Sequence, residues 1–557
     1  MKKRYLIACA SLVLGLPSLV AQTNKNDSTL NRTVVVEREY NPIVEGTTKV
    51  NVLPKVVEPN ITPKKVEYDL VAVQPKSYAV ALVSPMVAIE QEELAKKGYL
   101  RFGFGNYGNL DGRAHYTFMI SPKDRLTVDF SSYGMNGKLD QYYTDTKSKW
   151  NAFYYRTQGS LAYEHKFDAA VMKLFASYKV NNFNYANMQE LVNPFVVANF
   201  LPNKQRFNSG SFGAGVVSKD EDLFIKYDVT TEFRMYERQH DYIRQNAKES
   251  SLNTTAKLRT DLNTSNAVGL DLNMYNRVMS GRDIKSSTTF DMNPYYGISL
   301  ANWSFRLGAH IDLGFGHGES FLVSPDVRAE LNFAESYKFY AQATGGRIKS
   351  DFTRMENLSP YSLISTTNRD TYETINASLG IKGSPLTGLW FHAFAGYQRL
   401  KDDLFQGIGT AYFPSTIFGN SDTNNGYVGA KVQYKYKKLI DFSISSTYRN
   451  WKGNEEEAGA ILLKPKFDFE ADLSGKIITP LLVGVNYKYV TRNSNRGLDE
   501  ALHVNNINKL SVYATYQIIK NLTAYGSLDN LLNKKYQYFY GYPVEGTNFI
   551  VGLSFKF

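Results

Sequence analysis

From Tyr99 to the C-terminus, apolar and polar positions alternate with a period of two, in segments of roughly 10 to 14 residues. In the last segment Phe549, Val551, Leu553, Phe555 and Phe557 share one face, opposite Ile550, Gly552, Ser554 and Lys556. Val428, Ala430, Val432, Tyr434 and Tyr436 oppose Gly429, Lys431, Gln433 and Lys435 in the same way, and Trp303, Phe305, Leu307, Ala309, Ile311 and Leu313 oppose Ser304, Arg306, Gly308, His310 and Asp312. About 22 such segments follow one another, starting near residues 99, 112, 124, 154, 169, 206, 222, 250, 266, 285, 302, 321, 336, 371, 387, 426, 438, 461, 480, 507, 520 and 546. Short links such as Ser121 to Asp124 alternate with mostly longer ones, among them 135 to 150, 183 to 204, 348 to 370, 400 to 425, 450 to 460 and 491 to 506. No second apolar element is available to cover so many strands. The pattern therefore predicts an all-β protein, a large antiparallel transmembrane β-barrel over residues 99–557. Such a sheet spans lipid only by closing on itself, which pairs every backbone N–H and C=O within the protein.

The first 98 residues differ. Residues 1–21 read as a secretory signal, with basic Lys2, Lys3 and Arg4, an apolar run from Leu6 to Leu16, and a small residue, Ala21, before Gln22. Residues 22–98 read as a mostly extended periplasmic arm in which six prolines punctuate short β-branched runs such as Thr33 to Val36. The single cysteine, Cys9, lies in the signal, so disulfides, thiolate metal sites and a cysteine nucleophile play no part in the exported chain. Net charge is +11, about +8 without Lys2, Lys3 and Arg4. Basic residues are spread among acidic and aromatic ones, which excludes a nucleic-acid footprint. Beyond the N-terminus no stretch of 18 or more apolar residues occurs, which excludes a helical membrane protein.

Little in the sequence points to chemistry. Gly103-Phe104-Gly105-Asn106-Tyr107-Gly108 matches a dinucleotide fingerprint, but the next segment reads as another strand rather than the helix that would hold pyrophosphate. The glycines are expected to ease a strand into a turn, and Gly314 to Gly318 to form a loop. Arg306, His310 and Asp312 share one strand face, and Asp129, Asp228, Asp271 and Asp441 also point inward; both sets read as charge on the wet side of the wall. No catalytic, cofactor-binding or metal site is assigned. The link after residue 183 is different, because Phe183, Tyr185, Leu191, Phe195 and Phe200 make it too apolar for a solvated loop. It is expected either to occlude the lumen or to dock on a partner protein. Phe405, Tyr412, Phe413 and Phe418 add a second apolar loop.

The C-terminus carries Asp529-Asn530-Leu531-Leu532-Asn533-Lys534-Lys535-Tyr536, then Tyr542-Pro543, Gly546 and the terminal aromatic strand. This resembles the closing hairpin of TonB-dependent outer-membrane receptors, with Thr547 where that family usually has Arg. The resemblance implies a receptor-type barrel in the outer membrane, with Phe549, Phe555 and Phe557 as its signal to the insertion machinery. One departure is large: residues 22–98 are too few for a receptor's plug domain. Thr33 to Val36 resembles a TonB-contacting box, which has little to act on without a plug. The expected function is therefore that of a plugless receptor-like barrel, a non-enzymatic structural or accessory subunit of a transport, secretion or outer-membrane assembly complex. Its expected contacts are outer-membrane lipid, the insertion machinery and other outer-membrane or periplasmic proteins. The alternative is a TonB-coupled or passive channel for nutrient uptake.

Overall fold

The computed structural model describes residues 97–557 apart from 141–148, 187–203, 220–222, 240–245, 281–285, 317, 335, 365–367, 408–415, 438, 454–458 and 493–503. The signal, nearly all of the arm, and Leu191, Phe195, Phe200, Tyr412 and Phe413 lie outside the described residues. The wall begins with β1 (Gly98–Gly105), β2 (Leu110–Met119), β3 (Asp124–Asp140), β4 (Lys149–Lys166), β5 (Ala170–Asn184), β6 (Lys204–Ser218), β7 (Lys226–Arg238) and β8 (Ala247–Asp261). It continues through β9 (Asn266–Ser280), β10 (Ser287–Ser299), β11 (Trp303–Phe315), β12 (Phe321–Phe333) and β13 (Tyr337–Ile348). A helix, α1 (Phe352–Leu358), and the two-residue β14 (Ser362–Leu363) precede β15 (Thr371–Leu386), β16 (Leu389–Gly407), β17 (Thr416–Tyr436) and β18 (Ile440–Gly453). After a one-turn helix, α2 (Gly459–Leu462), come β19 (Pro465–Ile478), β20 (Leu481–Arg492), β21 (Ile507–Ile519) and β22 (Leu522–Asp529). A small hairpin of β23 (Gln537–Phe539) and β24 (Tyr542–Pro543) leads to the last strand, β25 (Asn548–Lys556).

Without β14, β23 and β24 these strands form a closed 22-strand antiparallel barrel. Closure is made by β1 on β25, in register from Tyr99↔Lys556 to Gly105↔Ile550. Phe557 extends the ladder, its N–H donating to Gly98 O at 3.0 Å and its carbonyl accepting from Gly98 N at 2.8 Å. At this seam the apolar faces meet as pairs, Leu100↔Phe555, Phe102↔Leu553 and Phe104↔Val551, all exposed on the outside. An aromatic belt marks the short-turn rim, the periplasmic side in barrels of this kind. Trp303 stacks on Phe305, Phe333 on Tyr337, and Phe557 on both Tyr116 and Phe555.

The inner face explains much of the tyrosine and glycine content. At the seam Gly103 and Gly552 face each other on the inner wall, and the ring of Tyr525 lies where a Cβ on either would be. Tyr525 donates to Asp111 Oδ2 at 3.2 Å, and Arg101 covers its ring at 4.0 Å while pairing with Asp111 at 2.6 Å. Side chains larger than hydrogen would push the ring off the wall and break this lock. Tyr513 lies over Gly484 and Tyr427 over Gly396 in the same manner, each hydroxyl donating to an inward acceptor, Asp472 and Asn376 respectively.

Two expected loops are partly strand. The link anticipated at 135–150 is shortened by the ends of β3 and β4, and that at 400–425 by β16 running to Gly407 and β17 starting at Thr416. These ends rise beyond the lipid, where no apolar outer face is required, so alternation disappears although pairing continues. The glycine pattern at 103–108 is the end of β1 and a tight turn, with Gly108 at φ 60°. Gly316 and Gly318, at φ 94° and 95°, shape the anticipated loop after β11.

Neighbouring residues of β18 separate the two faces. Ile444→Arg places charge against lipid and is expected to cost about 2–4 kcal/mol, whereas Ser443→Arg, facing the lumen, is expected to cost about 0.5 kcal/mol or less. Urea unfolding in lipid vesicles measures both.

Candidate functional site

At the barrel's long-loop mouth, residues 349–364, between β13 and β15, fold inward against the wall. Asp351 starts α1 by accepting from Arg354 N at 2.7 Å, and the Ser359 N–H closes it on Met355 O. Phe352 and Met355, three apart, form its apolar face. That face enters a cluster with Phe183, Phe207, Tyr236 and Trp150 on the wall and Tyr542 on the closing hairpin. Phe352 meets Tyr236 edge-on at 5.7 Å, Tyr361 meets Phe183 at 5.2 Å, and Tyr361 stacks on Tyr542. We call this segment the cap.

Polar groups fix the cap to the wall. Glu356 is fully buried and accepts from Arg156 at 3.0 Å, Lys179 at 3.2 Å and Asn181. Arg238 donates to the carbonyls of Ser362 at 2.6 Å and Pro360 at 2.9 Å, and Arg277 to that of Ser350 at 2.9 Å. Glu249 accepts from Phe352 N at 3.2 Å. Five strands, β4, β5 and β7 to β9, thus satisfy cap groups that water would otherwise solvate. β14 adds a parallel pairing with β17, Ser362↔Thr416 and Leu363↔Ile417.

The closing hairpin is the second part of the mouth. Asn530 and Asn533 adopt φ 50° and 47°, which asparagine tolerates better than most side chains. The Asn530 amide donates to the carbonyls of Lys534 and Glu545 at 3.0 and 2.9 Å and its oxygen accepts from Lys534 N at 3.1 Å. Asn533 accepts from Thr547 N at 3.2 Å, and the Thr547 hydroxyl donates to Asn530 O at 3.1 Å. The two asparagines of the C-terminal motif therefore build the loop that carries Tyr536, buried with Val490 and Ile507, and Tyr542, buried against the cap.

Of the residues singled out in sequence, Phe183 and Tyr185 are buried in the mouth cluster. Phe549 and Phe555 face the lipid side. Arg306, His310 and Asp312 point into the lumen but belong to separate pairs, Arg306 with Asp326 at 2.6 Å and Asp271 at 3.1 Å, His310 with Asp291 at 3.2 Å, and Asp312 with Arg347 at 3.5 Å. Asp129 pairs with His115 and Asp441 with Lys435. Among the described residues no group of three or more His, Cys, Asp or Glu is arranged to hold a metal ion. The cap went unrecognised in the sequence. Its signals were Asp351 before a Phe352–Met355 pair and the apolar Tyr361 and Ile364 in a stretch that read as an ordinary link.

No protein family's profile matches the chain, and no curated protein is similar to it in sequence. Its fold is similar to that of solved outer-membrane structures. The FrpB iron transporter from Neisseria meningitidis (F3-3 variant) matches with a TM-score of 0.67 at 11% identity, over 84% of this chain and 82% of that one. A ferric enterobactin receptor, PfeA from Pseudomonas aeruginosa, gives 0.64 at 11%, over 83% and 80%. The copper transporter OprC gives 0.62 at 12%, over 83% and 80%. The fold is thus a closed barrel similar to the barrels of TonB-dependent receptors.

Two predictions follow from the mouth. Glu356→Leu removes the carboxylate that Arg156 and Lys179 share, a cost of about 3–5 kcal/mol against the capped state; planar-bilayer conductance is expected to rise above that of the unaltered protein. Burial pushes the Glu545 carboxyl up to about 7, against the hydrogen bond from Asn109, with Asp529 adding to the rise and Lys509 opposing it. A raised carboxyl favours the folded state most at low pH, so stability falls as pH climbs from about 4.5 to about 7 and then levels. Thermal unfolding midpoints of Glu545→Gln are expected to lose this contribution in that window.

Proposed function

We propose that the chain is a receptor-like outer-membrane barrel closed by its own loops, serving as a structural or accessory subunit of a transport, secretion or outer-membrane assembly complex. The observation that carries this reading is the cap: apolar packing and buried hydrogen bonds from five strands hold residues 349–364 inside the long-loop mouth. A barrel held shut in this way works through its surfaces rather than its lumen. In this reading residues 1–21 direct export, and residues 22–98 form the arm that meets periplasmic or barrel partners in place of a plug. The apolar segment of Phe183, Tyr185, Leu191, Phe195 and Phe200 occludes the lumen or contacts a neighbour, and Phe549, Phe555 and Phe557 are read by the insertion machinery. The role is non-enzymatic.

Nutrient uptake is the second reading, favoured by the likeness to proteins named as iron and copper transporters and by the many charged pairs along the lumen wall. Gentle detergent extraction followed by identification of co-purified proteins separates the two. A stoichiometric companion, lost when residues 24–90 are deleted although the barrel remains folded, is the expected result. Absence of any companion together with substantial ion conductance assigns the chain to uptake instead.

A further inference from the structure

Near the short-turn rim the inner wall carries a row of basic side chains. Register places Lys338 of β13 opposite Lys382 of β15, Lys382 opposite His392 of β16, and His392 opposite Lys431 of β17. All four lie on the lumen face, opposite the lipid-facing Phe339, Ile381, Phe391 and Val432. The row starts beside Asn332 and stops at Ser445. Lys338 pairs with Glu330 at 2.9 Å, whereas Lys382 and Lys431 make no ion pair among the described residues. Their ammonium groups rest near rings instead, Lys382 at 5.1 Å from Tyr340 and Lys431 at 5.9 Å from Trp390. His392 is held between the two lysines by a hydrogen bond with the Tyr340 hydroxyl at 2.9 Å. Arg328, further along β12, adds to the repulsion that Lys382 meets from Lys338, and only Glu330 opposes it. Like charges directly opposite one another weaken a sheet. Elsewhere near this rim the wall matches its charges, Lys123 with Asp168, Arg125 with Glu164, Lys226 with Asp261 and Lys435 with Asp441.

We propose that this row is a binding site for a condensed phosphate, an anion with several phosphoryl groups in a chain, whose oxygens accept from Lys338, Lys382 and Lys431. Charge selects an anion, because the three lysines and Arg328 set four fixed cations against the carboxylate of Glu330. Lysine in place of arginine selects phosphate, since an ammonium is a point charge that serves phosphoryl oxygens from any direction, whereas planar carboxylates match the guanidinium fork. Neighbouring strands stand about 4.8 Å apart, so the three lysines are spread over about 14 Å of wall. A chain of phosphates can engage all three arms, and a lone orthophosphate cannot. Lys431 is exposed to the lumen and Lys338 and Lys382 are half-buried, so each keeps surface for a ligand. The row is reached from the short-turn rim without passing the cap. It therefore adds a binding surface to the barrel and not a passage through it.

An inorganic phosphate chain and the triphosphate of a nucleotide carry this chemistry alike. Isothermal titration of the full chain in nanodiscs distinguishes them, using sodium tripolyphosphate and adenosine triphosphate, with orthophosphate and citrate as comparison anions. Physiological ionic strength is used so that charges beyond about 8 Å are largely screened. Tripolyphosphate is expected to bind with one site per chain, at least about tenfold more tightly than orthophosphate or citrate. Lys382→Gln and Lys431→Gln are each expected to weaken it about tenfold. Lys435→Gln, which removes a cation already paired with Asp441 further along β17, is expected to leave it unchanged. Binding of tripolyphosphate alone assigns an inorganic chain; binding of both assigns the nucleotide as a second source of the same phosphates. The proposal is overturned by absence of tripolyphosphate binding in protein that keeps the heat-resistant mobility of a folded barrel on gels. Equal affinity for citrate, or a loss in Lys435→Gln as large as that in Lys382→Gln, overturns it as well, since net charge alone then accounts for the binding. None of these outcomes depends on whether a companion protein co-purifies.

Discussion

Backbone hydrogen bonding in hydrocarbon is the constraint on which this molecule depends. An unpaired N–H or C=O facing lipid costs several kcal/mol, and an open sheet of this length would expose a whole row of them at each edge. Pairing β1 with β25 removes both edges at once, and the even strand number makes that pairing antiparallel like the rest. Every other feature of the wall answers to it. The outer residues on either side of the seam are apolar so that the joint is as lipid-compatible as any other strand pair. On the inner face Gly103 and Gly552 face each other, so that Tyr525, Arg101 and Asp111 can lie across the joint and hold it.

Closing a sheet of this size creates a wide lumen, and the chain satisfies its interior by two means. Lower on the wall, charges and hydroxyls are matched strand to strand, as in Arg306 with Asp326 and Asp271. At the mouth the same rule is met by a separate segment. The cap brings apolar side chains that need cover and carbonyls that need donors, and the wall offers both, with Phe183, Phe207 and Tyr236 on one hand and Arg238 and Arg277 on the other. Glu356 is the point where the two requirements coincide, a carboxylate carried into the aromatic cluster and compensated there by Arg156 and Lys179. The seam and the cap are joined through the stack of Tyr361 on Tyr542, which links the cap to the hairpin preceding β25.

The wall was legible in the sequence because lipid imposes period two. β3, β9, β12, β15 and β21 begin at Asp124, Asn266, Phe321, Thr371 and Ile507, where alternation begins. β17 starts ten residues before its alternation does: from Thr416 to Asn425 it stands above the membrane, its outward Asp422 and Asn424 meet water, and no apolar face announces it. The cap was hidden for a different reason. Its stability comes from arginines more than seventy positions away, and nothing local to Ser350, Pro360 or Ser362 predicts that Arg277 or Arg238 will reach their carbonyls. The C-terminal motif was visible as a pattern, but why it needs asparagine at 530 and 533 emerges only from the left-handed backbone and the hydrogen bonds to residues 534, 545 and 547.

Fold and functional reading alike rest on a wall that is wet inside and lipid-covered outside. The chain's single cysteine lies in the segment read as a removed signal, so single cysteines introduced one at a time from 440 to 451 along β18 report on that wall without interference. Labelled with a water-soluble maleimide after reconstitution into nanodiscs, which leave both rims accessible, positions 441, 443, 445 and 447 should react and 440, 442, 444 and 446 should be protected. Uniform labelling along the strand, or protection of the odd positions, would contradict the account.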